Sequence, residues 1–264
     1  MYEQSMIKYE SLLTMENASF SFAAMEKYCN VRPKFYISEF KKTGKNQKEL
    51  LGSIDKVIKD LDLLINYSPT AERLNMLGSA YKSKAMISSV KVQKINACKQ
   101  AALCYYKAYK KQKQAYSLVN WLEIENILVL LETRKWGQSV KLDQVEYNLP
   151  AIKDAVKDLD SMFDSLTSFS PDELNYWDWA SAANIKLCMM MLEYKVGSSR
   201  PPAYEEIFNL YKETWDKAGS KGKKLGEIEH FDFLIDALSL SKKKNVLTIK
   251  TKINDLKNQL EKMI

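Results

Sequence analysis

The chain holds a single histidine, His230, among 264 residues, and that scarcity bounds its chemistry. A Cys–His or Ser–His pair needs an imidazole within hydrogen-bond reach of the nucleophile. His230 stands in Glu227-Ile-Glu-His230-Phe-Asp-Phe, in the middle of a helical pattern and beside acidic neighbours. It reads as a structural side chain. The four cysteines, at 29, 98, 104 and 188, form no CxxC. With one histidine they cannot build a usual zinc site. Their spacing inside helical patterns suits buried free thiols in a reducing compartment. Neither G-x-x-x-x-G-K-[ST] nor G-x-G-x-x-G occurs, so no glycine loop cradles a phosphate. The G-x-S-x-G elbow of serine hydrolases is missing as well. We expect no enzyme, no cofactor and no metal.

Glycine and proline are scarce too, at eight and six residues. Sheet-rich folds need many tight turns, and those turns need such residues. The shortage therefore points to helix. The longest apolar runs, Ile127–Leu131 and Leu187–Leu192, are far too short to span a bilayer. The start, MYEQSMIKYESLL, lacks a basic stretch followed by an apolar run, so no signal peptide is expected. A soluble, cytoplasmic chain with no membrane association is the expectation.

What the chain does have is helical periodicity. Apolar residues recur at i, i+3, i+4 and i+7 nearly throughout. Breakers divide the pattern into eleven helices, at 2–15, 18–43, 47–67, 71–90, 93–115, 117–133, 149–168, 171–196, 202–218, 223–240 and 245–263. Pro33 falls inside the second, which is expected to kink or split there. Ser170-Pro171-Asp172-Glu173 reads as a capped helix start. Glu132 to Pro150 is the least regular stretch and reads as a loop. No Pro/Ser/Gly tract marks a linker, so one domain over 1–264 is expected.

Charge is unevenly spread. The net charge is +7, and residues 1–132 hold 20 Lys+Arg against 13 Asp+Glu, whereas the remainder is balanced. Between Glu72 and Glu123 no acid occurs, and Arg73 plus nine lysines give a local charge of +10. On a wheel of about 100° per residue, Lys99, Lys107, Lys110 and Lys113 share one side. Ala101, Cys104, Tyr105, Ala108 and Tyr109 share the other. Lys111 extends the basic patch. Such a stripe suits phosphate backbones or an acidic protein, and it equally suits plain solvation. With only four Arg and no reading motif, sequence-specific nucleic-acid readout is not expected.

Two features suggest a repeat. Lys59-Asp60-Leu61-Asp62, followed by Ser68-Pro69 and Ala71 to Asn75, is echoed by Lys157-Asp158-Leu159-Asp160, Ser170-Pro171 and Asp172 to Asn175. The offset of about 100 residues is close to three periods of the 34-residue tetratricopeptide repeat. Within 74–108, Leu77-Gly78-Ser79-Ala80-Tyr81 fits the first helix of that repeat, and Ala101, Tyr105 and Ala108 fit the second. The gap between them exceeds the consensus, which implies lengthened helices. The expected fold is an all-α, tetratricopeptide-like solenoid of about five antiparallel helix pairs plus an N-terminal helix.

The segments Tyr9 to Leu13, Ala23 to Arg32, Glu72 to Lys82, Asn120-Trp121 and Tyr176-Trp177 through Ala183 together resemble one group of bacterial proteins. That group is the tetratricopeptide-like helical region that accompanies CHAT (caspase-like) peptidases. The chain is also similar to the TRAFs-binding helical region of stress-kinase relatives. The resemblance implies a regulatory or scaffolding array that binds a protein partner, a CHAT-type peptidase among the candidates, rather than the peptidase itself. With Gly78 as register, Asn75, Ser79 and Lys82 point into the concave groove. The resemblance places Asn175 and Trp179 as their equivalents in a later repeat. These five are the candidate partner-binding residues, to be weighed against ordinary polar helix positions. Of the paired rings at 177 and 179, one is expected to be exposed, with Trp179 the one to watch. At the end, Val246, Ile249, Ile253, Leu256, Leu260 and Met263 run at 3-4 spacing, which suits either a cap on the last repeat or a dimer seam.

Overall fold

Several breakers fall where helices end or begin, among them Gly44, Pro69, Pro150 and Gly219. The structure, a computed structural model, describes residues 2–13, 21–44, 46–169, 173–196 and 203–264. Ser21 caps helix α2 by accepting the Ala24 N–H at 3.2 Å. Thr70 caps α4 by accepting the Arg73 N–H at 3.1 Å. Gly44, at φ 60°, closes α2 in the left-handed conformation that glycine adopts at little cost.

Contacts group the chain into two compact units, residues 1–113 and 114–264. The first contains α1 (Tyr2–Leu13), α2 (Phe22–Thr43), α3 (Gln47–Tyr67), α4 (Ala71–Ile87) and α5 (Lys91–Lys111). Each helix packs on the next, and α2 also packs on α4. This is the pairing of first helices in successive repeats. The core of the unit holds Cys29, Ile37, Ile54, Val57, Ile58, Leu61, Leu64, Leu77, Ala80 and Ile87.

The second unit contains α6 (Ala115–Leu130), β1 (Ser139–Leu142), β2 (Val145–Asn148), α7 (Ile152–Thr167), α8 (Tyr176–Val196), α9 (Tyr204–Ala218), α10 (Lys221–Leu238) and α11 (Lys244–Glu261). Here α8 packs on α6, α7 and α9, and α11 packs on α10 and α9. The fold is all-α and tetratricopeptide-like, as the breaker-poor sequence implied. The expected helices reappear with their ends shifted by a few residues.

Four differences have physical causes. Helix α2 runs through Pro33 without splitting. Proline removes one N–H there, while buried Tyr28, Cys29, Arg32 and Ile37 hold the turns around it. Helix α8 begins at Tyr176 rather than near 171, because Asn175 caps it. Asn175 Oδ1 accepts the Trp177 N–H at 2.7 Å, and Asp178 Oδ2 accepts the Asn175 N–H at 3.0 Å. This is a reciprocal capping box. Ser170 to Asp172 lie outside the described residues. The stretch read as a loop contains an antiparallel hairpin that pairs Ser139 with Asn148 and Val140 with Tyr147. Asp143 and Gln144, both at positive φ, make its two-residue turn. Finally, Val246, Ile249, Ile253, Leu256 and Leu260 are buried within the second unit. The stripe is spent on packing and caps that unit.

Candidate functional site

Helix α4 carries the groove candidates, and Gly78 explains how it is placed. A Cβ at Gly78 would come within 2.8 Å of the Tyr105 ring. Only glycine lets α4 and α5 approach this closely. Tyr105, Ala101 and Ala108 are fully buried against it, so the small–aromatic–small reading of this hairpin holds. With that face fixed, Asn75, Ser79 and Lys82 follow one another along α4 at steps of four and three, all partly exposed. Steps of three and four keep side chains on one helix face. The Ser79 carbonyl accepts the Ser83 hydroxyl at 3.0 Å.

The later pair differs from the expectation. Asn75 lies in the second turn of α4, whereas Asn175 precedes α8 as its cap. The two asparagines are not equivalent, because Asn75 is the fifth residue of α4 and Asn175 immediately precedes the first residue of α8. Trp179 is partly covered, with Lys217 Nζ 3.9 Å from its ring centroid. Trp177 is the exposed ring, at 53%. It meets Tyr176 edge to face at 5.1 Å.

The basic segment is less free than its composition implied. Arg73 is buried. Its Nε donates to Glu26 Oε1 at 2.6 Å, and its Nη1 donates to the carbonyls of Leu64 and Ser68 at 3.0 and 2.5 Å. Lys84 pairs with Asp55 at 2.6 Å. Lys107 sits close enough to Asp62 to oppose the upward shift that burial gives that carboxyl. Lys94 is buried. Acids of α2 and α3 therefore answer several of the cations that stood unopposed in sequence. Lys107, Lys110, Lys111 and Lys113 are exposed, and Lys113 Nζ lies 4.0 Å from the Tyr109 ring centroid. Lys99 is partly buried, and Leu103, within the lysine side of the wheel, is 2% exposed. The stripe is thus interrupted rather than continuous.

The single histidine and the most deeply buried carboxylates sit in the second unit. From Ser117 to Leu130 every residue of α6 is buried. Glu125 accepts the Tyr147 hydroxyl at 2.5 Å and pairs with Arg134, whose Nη1 also donates to Tyr147 Oη at 2.6 Å. Burial pushes the Glu125 carboxyl up, and Arg134 and Tyr147 oppose that shift. His230 on α10 brings Nε2 to 3.1 Å from Glu123 Oε2. Asn126 Nδ2 donates to the Met191 carbonyl at 3.1 Å. Burial holds two of the thiols protonated, with Cys29 pushed up to about 12 and Cys188 well above the ordinary range. A thiol is a poor nucleophile in that state. Sequence reasoning missed this buried set, because Glu123, Glu125 and Asn126 form no spaced motif that marks them out.

Among the described residues no helix is long and apolar enough to cross a membrane. No group of three or more His, Cys, Asp and Glu there could hold a metal ion. A separate cleft of about 430 Å³ lies between Tyr204 and α11 residues Lys252, Asp255, Asn258 and Gln259. Comparison with known proteins agrees with the helical hairpins. No curated protein and no solved structure matches the sequence. Residues 1–129, which span the first unit and nearly all of α6, match the family model described as Tetratricopeptide Repeats-Sensor, so this part of the chain is a tetratricopeptide-like region.

Proposed function

We propose that the chain is a non-catalytic adaptor whose α4 face binds a segment of a protein partner. One observation carries the reading: Asn75, Ser79 and Lys82 form a partly exposed row on a helix held in place by the Gly78–Tyr105 contact. An amide, a hydroxyl and an ammonium in a row suit a peptide main chain and a carboxylate. Similarity of residues 1–129 to a tetratricopeptide family supports an interaction role. The short motifs that resemble CHAT-associated helical regions support a CHAT-type peptidase system as the setting. Trp179 and Asn175 are the secondary contact candidates on the α8 side, with Lys217 as a neighbour of the ring.

The test is affinity capture on the full chain, with and without nuclease, beside the variant N75A/S79A/K82E. A protein retained after nuclease and lost with the variant supports the groove. A partner that binds the variant equally well overturns it.

A second reading rests on the exposed run Lys107, Lys110, Lys111 and Lys113 at the end of α5. It makes the chain a nucleic-acid-associated subunit that contacts the phosphate backbone. Binding of a labelled oligonucleotide would then fall steeply with salt and with reversal of those four charges. Insensitivity to both rejects it.

A further inference from the structure

Helix α3 is used on one side only. Ile54, Val57, Ile58, Leu61 and Leu64 are buried in the core of the first unit. On the opposite side Lys56, Lys59, Leu63 and Tyr67 follow at steps of three, four and four, and all four are exposed. Leu63 at 69% and Tyr67 at 72% are the most exposed large apolar side chains among the described residues. The Tyr67 ring lies 4.8 Å from that of Phe22, which is itself half exposed. Scattered exposed apolar residues are ordinary. Three in one place, one of them touching another from a second helix, form a patch of the kind that marks an interaction site.

Charge completes the pattern. Three acids of α3 are met by cations off this row, and the fourth, Glu49, is exposed two turns before Lys56 on the same side. Asp60 is held by Arg32 at 2.7 Å, Asp55 by Lys84 at 2.6 Å, and Asp62 lies near Lys107. From Lys56 onward the row is cationic, at Lys56 and Lys59, and then apolar, at Leu63 and Tyr67. Residues 1–113 as a whole hold 20 Lys+Arg against 10 Asp+Glu.

We propose that this face of α3 docks an amphipathic helix of a protein partner, acidic where it meets Lys56 and Lys59 and apolar where it meets Leu63, Tyr67 and Phe22. Steps of three and four are those by which two helices pack side chains into each other's grooves. Opposite charge across the contact steers encounter and fixes register. A second copy of the chain fits poorly. Two such rows in antiparallel pairing set lysines on the apolar half, and in parallel pairing they set lysine on lysine. Nucleic acid leaves the apolar half unexplained. This surface is distinct from the α4 row, and its test is separable from that of the groove.

The experiment selects a displayed library of helical peptides on the full chain, with counter-selection on L63D/Y67D. Both residues are exposed, and circular dichroism checks that the variant keeps its helices. Survivors are expected to carry Asp or Glu at one end and Leu, Ile or Phe at helical steps at the other. Their affinity falls about tenfold or more with L63D/Y67D. In K56E/K59E they weaken about tenfold, while peptides with Lys in place of their acids gain. N75A/S79A/K82E leaves these affinities unchanged. Survivors of basic character, or none that depend on Leu63 and Tyr67, overturn the proposal. Self-association in sedimentation that L63D/Y67D abolishes overturns it too, in favour of a second copy.

Discussion

Helices α4 and α6 have nearly equal length, 17 and 16 residues, and use their polar side chains in opposite ways. Helix α4 buries Arg73 but ties it to Glu26 and to two carbonyls at the end of α3. It leaves Asn75, Ser79 and Lys82 partly open. Helix α6 has no open face beyond Tyr116, and Glu123, Glu125 and Asn126 lie inside, each met by a group from another element. Residue type alone does not separate a helix with an open polar face from one whose polar groups are buried. What separates them is how much of each polar side chain the fold leaves open to solvent.

The sharpest way to break this contrast is at Arg134. Arg134→Met leaves Glu125 buried without its cation, which costs about 3–5 kcal/mol. Denaturant unfolding of the full chain measures it. The double variant R134M/E125L is expected to recover most of the loss, and failure to recover it assigns the cost to lost packing instead.

Next in size is the α4–α5 contact. Gly78→Ala drives a methyl into the Tyr105 ring and costs about 1–3 kcal/mol, against a helix-propensity gain of about 1 kcal/mol. Its control has the opposite sign. Gly52 lies exposed within α3 with nothing inside 4 Å of an added Cβ, so Gly52→Ala stabilises by up to about 1 kcal/mol. Thermal melts of the two variants are expected to move in opposite directions.

Asn175→Ala removes the α8 cap at a cost of about 1 kcal/mol. Asn75→Ala, inside a helix and part-exposed, is expected to shift stability less. Comparing the two melts tests the assignment of Asn175 to a capping role.

The smallest effect is in pH. Burial raises the folded Glu125 carboxyl above its ordinary value of 4.5. A group raised in this way favours the folded state below its unfolded pKa and loses that contribution as pH rises through the folded one. Glu125→Gln does not titrate. The stability of this variant relative to the wild type is therefore expected to rise as pH increases above about 4.5. A flat difference across that range contradicts the buried-carboxyl account.

Much of the fold was legible in sequence because helix ends carry local signals. Thr70 before Ala71 and the shortage of breakers elsewhere gave the helices of the first unit. The Gly78 and Tyr105 hairpin was legible for the same reason, since small and aromatic residues recur at set steps. The hairpin at 139–148 was not, because its strands are four residues long and its turn is Asp143-Gln144 rather than a glycine pair. The start of α8 was misplaced because Pro171 offers a strong start signal, while Asn175 and Asp178 make the cap. The charge window overstated the free basic surface, since a count along the chain cannot see Glu26, Asp55 and Asp62 folded back onto it. The partner row on α4 rests on register from Gly78. The α3 face went unread because Leu63 and Tyr67 look like two more members of an apolar helical pattern.

The hairpin that interrupts the helices is also the bearer of a counter-ion. Tyr147 sits on its second strand, and Arg134 stands just before its first, so the interior acid on α6 is neutralised by an arm that loops out and returns. A shortened chain that trims residues 134–148 while keeping Glu125 strands a carboxylate in an apolar interior, whereas one that trims the arm and places leucine at 125 does not. A relative without the arm is therefore expected to carry an uncharged residue at position 125, and an alignment of relatives checks it.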